Sequence, residues 1–161
     1  MDVQVIPADL HAKEIIRQLL EFNAYEFTAF FADSELDEHG RFGYRWLDHY
    51  WTDEHRHAFL IRVDGRIAGM TLVRGTDPFS IAEFLIMPQY RRRGVGLIAA
   101  RRVFSLFDGS WSVHQVPGNE RATAFWRRAI PAPFTETADA DGTTQRFVLT
   151  SPYDGDDPTD R

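Results

Sequence analysis

The stretch Gln89-Tyr90-Arg91-Arg92-Arg93-Gly94-Val95-Gly96 constrains this chain more than any other, because of what flanks it. Ser80 to Pro88 before it reads as a strand, and Leu97 to Phe107 after it has helical spacing. A strand that turns tightly through glycine into a helix start exposes amides with no internal partner, at the positive end of the helix dipole. Anions bind at such places. Gly94 and Gly96 lack a Cβ, so a ligand can come close to the backbone. Arg91, Arg92 and Arg93 add charge of the kind that pairs with phosphate. Two other phosphate turns do not fit. No Gly-Lys-Ser/Thr follows, as a P-loop requires, and Ala99 stands where a dinucleotide fingerprint has its third glycine.

A run of arginines also fits a solvated patch or a nucleic-acid contact. The formal net charge of −6 opposes nucleic acid. The absence of cysteine excludes a disulfide framework, a thiolate metal site and a cysteine nucleophile. Met1-Asp2-Val3-Gln4 lacks the basic and then apolar regions of a signal peptide, and no apolar run is long enough to span a bilayer. The expectation is a cytoplasmic protein with no metal and with neither nucleic acid nor membrane as partner.

In chain order, Val3 to Ile6 is a short strand stopped by Pro7, and Asp9 is an N-cap for a helix through Glu21 or further. Ile15, Ile16, Leu19, Leu20 and Phe22 should face the core. Tyr25 to Phe31 is aromatic and unclassified; Asp33, Glu35, Asp37 and Glu38 make an acidic loop closed by Gly40. Tyr44, Leu47 and Trp51 space a second helix. His57–Val63 and Arg66–Arg74 form a hairpin around Asp64-Gly65, the type I′ turn signal. A strand over Ile81–Met87 leads into the turn. In the next helix Ala99, Ala100, Val103, Leu106 and Phe107 form the buried side. Trp111 to Val116 is a strand, Asn119 caps a helix ended by Pro131, and a hairpin around Asp141-Gly142 closes the fold. The order β-α-α-β-β-β-α-β-α-β-β is mixed α/β. One domain over residues 1–150 and a frayed acidic tail over 151–161 are expected.

Arg91-x-x-Gly94-x-Gly96, placed after a strand ending at Met87-Pro88 and before Asn119, Ala122, Phe125 and Trp126, resembles the motif of the GNAT superfamily, the Gcn5-related N-acetyltransferases. More narrowly, Ile81 to Phe84 and Gly118 to Trp126 resemble a small bacterial group known only as predicted acetyltransferases, which names no acceptor. The resemblance covers nearly the whole chain. It implies the acyl-CoA N-acyltransferase fold, with about seven mostly antiparallel strands and helices on both faces. It implies acetyl-coenzyme A as donor, an amine of a small molecule or peptide as acceptor, and direct attack in a ternary complex; a homodimer is allowed. A non-catalytic acyl-coenzyme A binding module of the same fold is the alternative.

The same resemblance implies that amides of Arg92, Arg93, Gly94, Val95 and Gly96 hold the pyrophosphate. Arg91 and its neighbours would assist there or reach the adenosine 3′-phosphate. The backbone near Leu85, Ile86 and Met87 would pair with the pantetheine arm like an added strand. Asn119 would bind coenzyme A, cap its helix, or both. By alternation Phe84 and Ile86 point one way, and Glu83, Leu85 and Met87 the other. The resemblance implies that the Phe84 and Ile86 face is core, so that Glu83 faces the acceptor as a candidate base, with a salt bridge to an arginine as the alternative. His114, five residues before Asn119, is the rival base; histidine titrates near neutrality, and a structural role in the sheet is its alternative. Trp126 stands where the family often has an acid tyrosine, and an indole N–H cannot protonate a thiolate. Tyr25 and Tyr90 are substitutes to consider. The acidic loop is either solvated or a lure for a cationic amine.

Overall fold

The structure, a computed structural model, describes residues 1–150; the acidic tail expected from Ser151 lies outside the described residues. Seven strands form one sheet in the order β1-β2-β3-β4-β5-β7-β6. They are β1 (Val3–Pro7), β2 (Arg56–Val63), β3 (Arg66–Arg74), β4 (Phe79–Ile86), β5 (Gly109–Gln115), β6 (Phe134–Asp139) and β7 (Gly142–Leu149). Every neighbouring pair is antiparallel except β4 with β5. The β2–β3 hairpin turns at Asp64 and Gly65, with φ of 49° and 77°, the left-handed pair that a type I′ turn requires.

Helix α1 (Lys13–Phe27) covers one face of the sheet, where Ile16, Leu19 and Leu20 pack on Leu60, Met70, Leu72 and Leu85. Asp9 accepts a bond from the Ala12 amide and opens a short 3-10 turn that runs into α1. Helices α2 (Val95–Phe104) and α3 (Glu120–Ala129) cover the opposite face. Their core is aromatic: Phe104, Trp111, Trp126 and Phe147 pack edge-on or stacked with ring centroids 4.9–6.3 Å apart. No helix among the described residues is long and apolar enough to cross a membrane.

Four expectations are corrected. The second helix is only a 3-10 turn, Leu47–Trp51, which buries Leu47 and Tyr50. Its apolar spacing is real but spans too few residues to carry an α-helix without tertiary support. Phe22 is 42 % exposed, because α1 lies on the sheet along the Ile16–Leu19–Leu20–Asn23 stripe. The helix after the glycine turn starts at Val95 and ends at Phe104, so Leu106 lies past its end and is 51 % exposed. Phe104, rather than Leu106, fills the core.

Two features of β4 position the site. Leu72 pairs with Glu83 and Val73 with Ile81, so Ala82 is an extra residue, a β-bulge that bends the strand. The parallel pairing of β4 with β5 holds only at Phe79–Trp111 and Ser80–Ser112. Beyond the bulge the two strands part, and the sheet is split at its middle.

Candidate active site

The turn between β4 and α2 is built as an amide cradle. A 3-10 turn, Pro88–Tyr90, leads into Arg92 and Gly94, both left-handed with φ of 58° and 81°. The amides of Tyr90 and Arg91 bond back to Met87 and Pro88, and the first helical bond runs from Ile98 to Gly94. From Arg92 to Leu97 no backbone amide has an acceptor among the described residues. Alternating left-handed residues at a helix start turn such amides toward one point, which is a nest for an anion.

The arginines divide. The Arg91 side chain donates from Nε to the Ile86 carbonyl and from Nη2 to Glu26 Oε1, both at 2.6 Å. It is therefore a strut from the end of β4 to the end of α1. Arg92 and Arg93 are exposed and carry the remaining positive charge of the turn. The two glycines divide as well. A Cβ on Gly94 would meet nothing within 4 Å, so that glycine answers to its φ of 81°. A Cβ on Gly96 would come 3.2 Å from the Phe125 ring, so Gly96 serves the packing of α2 on α3. Val95 between them is fully buried.

Just past the end of β4 the Met87 amide donates to the Ala68 carbonyl of β3 at 2.8 Å. Backbone groups alternate sides along an antiparallel ladder. The amides of Leu85 and Met87 therefore serve β3, and those of Phe84 and Ile86 point into the split, where the Ile86 carbonyl is already taken by Arg91. Of the expected Leu85, Ile86 and Met87, only Ile86 keeps its amide for an added strand; Phe84 joins it.

Glu83 points from β4 toward α1, as alternation requires. It is half-buried, and Asn23 Nδ2 of α1 donates to its Oε2 at 2.7 Å. Burial pushes its carboxyl up to about 7, against the opposing pull of Asn23, Tyr44 and Arg74. Burial, and then the charge of Glu83, push the neighbouring Tyr44 hydroxyl upward as well. Tyr44 arrives on the loop after α1, which is clamped where Glu21 accepts the amides of Phe42 and Gly43, each at 2.8 Å. Asp37 folds the same loop by accepting the amides of His39 and Arg41. Asn23, Tyr44 and Glu21 were not among the expected site residues. The signal for Asn23 was a polar residue within an apolar helical stripe.

His114 shares the α1 face of the sheet, opposite the buried Trp111 and Val113, but on the far bank of the split. It is exposed, and its Nδ1 lies 2.9 Å from Thr144 Oγ1 on β7. It has no hydrogen bond to Glu83 or to its partners. Asn119 caps α3: its Oδ1 accepts the Ala122 amide at 3.2 Å. Trp126 lies in the aromatic core against Phe84 and Phe104, 6 % exposed.

Residues 16–130 match the model of the acetyltransferase (GNAT) family. The chain belongs to the GNAT acetyltransferases. The search of curated proteins finds no match. Solved structures share the GNAT fold. An acetyltransferase from Thermus thermophilus is 17 % identical, with a TM-score of 0.67 over 92 % of this chain and 96 % of that one. A GNAT acetyltransferase from Staphylococcus aureus is 14 % identical, with a TM-score of 0.66 over 92 % and 100 %. The PaiA N-acetyltransferase of Thermoplasma acidophilum, solved with coenzyme A, is 11 % identical, with a TM-score of 0.61 over 92 % and 100 %. At such identities the likeness is one of fold. The amide cradle, the bulge and the split sheet are features of this GNAT chain itself.

Proposed function

We propose that this GNAT chain transfers the acetyl group of acetyl-coenzyme A to an amine that attacks it directly, with Glu83 as general base. The observation that carries the reading is Glu83 itself. It is a half-buried carboxylate beside the split, held by Asn23, with its ionisation moved to neutrality. An alkylamine with a solution pKa of about 10.4 must shed a proton to attack, and a base poised near the working pH is the efficient acceptor of it. The donor would lie with its pyrophosphate in the amides of Arg92 to Leu97, and with its pantetheine along Phe84 and Ile86. The amine nitrogen forms a bond to the acetyl carbon, the carbon–sulfur bond breaks, the amine proton goes to Glu83, and the thiolate leaves. A thiol pKa of about 8.5 makes that departure feasible without an acid. His114 is the second candidate base; its exposure and its bond to Thr144 leave it without the burial that tunes Glu83.

One observation favours the non-catalytic binding module: Trp126 is withdrawn into the core and offers no proton to the leaving thiolate. Thiol release from acetyl-coenzyme A across a panel of amines separates the two. On the catalytic reading, turnover rises with pH through about 7 as Glu83 ionises. Glu83→Gln should lose that limb and about 10²–10⁴-fold in turnover, while binding acetyl-coenzyme A as before. His114→Ala should keep the limb. Loss of the limb in His114→Ala alone would transfer the base to histidine, and acetyl-coenzyme A binding without thiol release for any amine would favour the binding module.

A further inference from the structure

Helix α1 ends in an aromatic cluster that belongs to none of the hydrophobic cores. Phe27 meets Phe30 edge-on at 5.9 Å and lies stacked with Phe31 at 6.3 Å. Phe30 and Phe31 remain 39 % and 42 % exposed. Three phenyl rings at this spacing normally mark a buried helical face. Here the face has a different neighbour. Asn23 and Phe27 are one turn apart on α1, so the stripe that brings Asn23 to Glu83 carries on into Phe27 and the turn after it. At its far end Phe30 Cδ1 lies 3.9 Å from where a Cβ on Gly118, between β5 and α3, would be. Glu26, in the same turn, is tied to Arg91 of the amide cradle. The end of α1 thus spans the mouth of the split, with exposed phenyl rings between Glu83 on one bank and Gly118 on the other.

The segment that carries this apolar surface is acidic, and its one cationic tie among the described residues is Arg91 on Glu26. From Gln18 to Gly40 the chain has no lysine or arginine, and Asp33 and Glu35, two and four residues after Phe31, make no ion pair among the described residues. Exposed phenyl rings followed in the chain by unpaired carboxylates, on the helix stripe that leads to a base, are complementary to an apolar body carrying a cation. Resting on the transfer reading, we propose that the acceptor is a primary amine on an aromatic or bulky apolar body. Its ring would stack on Phe27, Phe30 and Phe31, and its ammonium would pass Asp33 and Glu35 toward Glu83.

The test compares phenethylamine, butylamine and spermidine as acceptors for the full chain with saturating acetyl-coenzyme A, by thiol release. Phenethylamine should exceed butylamine in kcat/KM by about tenfold, the scale expected for burying a phenyl ring. Phe30→Ser and Phe31→Ser, at exposed positions, should melt like the parent protein and bring that ratio toward one. Equal use of phenethylamine and butylamine, or preference for spermidine, would overturn the inference and leave acetyl transfer standing. A change in preference among acetyl, butyryl and hexanoyl donors, with the acceptor ratio intact, would also overturn it, by giving the rings to the acyl group. Tight acetyl-coenzyme A binding with no thiol release for any of the three amines would overturn the inference, and the same result across the wider amine panel would overturn the transfer reading as well.

Discussion

At the scale of single residues, Glu83 carries a cost that its proposed role explains. Its folded pKa of about 7 lies above the ordinary 4.5, so between those values the native state binds more protons than the unfolded chain. Stability therefore falls as pH rises through that window, by up to about 3 kcal/mol for a shift of this size. Glu83→Gln should raise the melting temperature at about pH 8 and not at about pH 4, while lowering turnover. A melting temperature unchanged or lowered at the higher pH would mean that the carboxylate is comfortably solvated. Gly94 and Gly96 should separate in the same way. Gly94→Ala forces a side chain into the left-handed region, a strain of about 1–2 kcal/mol, and disturbs the cradle. It should weaken acetyl-coenzyme A binding measured by calorimetry on the folded variant. Gly96→Val should lower the melting temperature first, because it drives into Phe125, and the double variant with Phe125→Ala should be less destabilised than the two single losses added.

At the scale of elements, the loop after α1 is held to the site by one carboxylate. Glu21 accepts two amides of that loop, and Tyr44 follows directly. Glu21→Ala should free the loop and draw Tyr44 off Glu83. The midpoint of the acid limb of turnover would then move, and hydrogen exchange at Phe42 and Gly43 would quicken. A pH profile identical to that of the parent would leave Glu21 as a loop anchor only. These relations also mark where reading the sequence stops. The Asp64-Gly65 turn, the Asn119 cap, the strand–turn–helix and the direction of Glu83 were legible, because each depends on residues within a few positions of one another. Asn23 and Tyr44 at Glu83, Glu26 at Arg91 and Phe125 at Gly96 were not, because each joins elements far apart in the chain. The second helix was misread for a related reason. Tyr44, Leu47 and Trp51 have helical spacing, but the chain there makes only a single short 3-10 stretch, held down by packing on Leu60 and Met70.

At the scale of the whole molecule, the sheet is two leaves, β1–β4 and β5–β7, whose strands join only at Phe79–Trp111 and Ser80–Ser112. Those two contacts act as a stitch at one end of a long seam. If the donor lies along Phe84 and Ile86, it closes the rest of the seam, and hydrogen exchange can see it do so. Without acetyl-coenzyme A the Phe84 and Ile86 amides should exchange quickly, and with it slowly. Those of Leu85 and Met87, bonded to β3, should be slow in both states. Exchange at Phe84 and Ile86 that is indifferent to the donor would place the pantetheine elsewhere. Melting should also become dependent on donor concentration, since what binds only the folded chain shifts its unfolding by mass action. The incomplete stitching of the sheet would then make the donor a part of the architecture: the protein is fully zipped only while it is loaded, and each turnover opens the zip again.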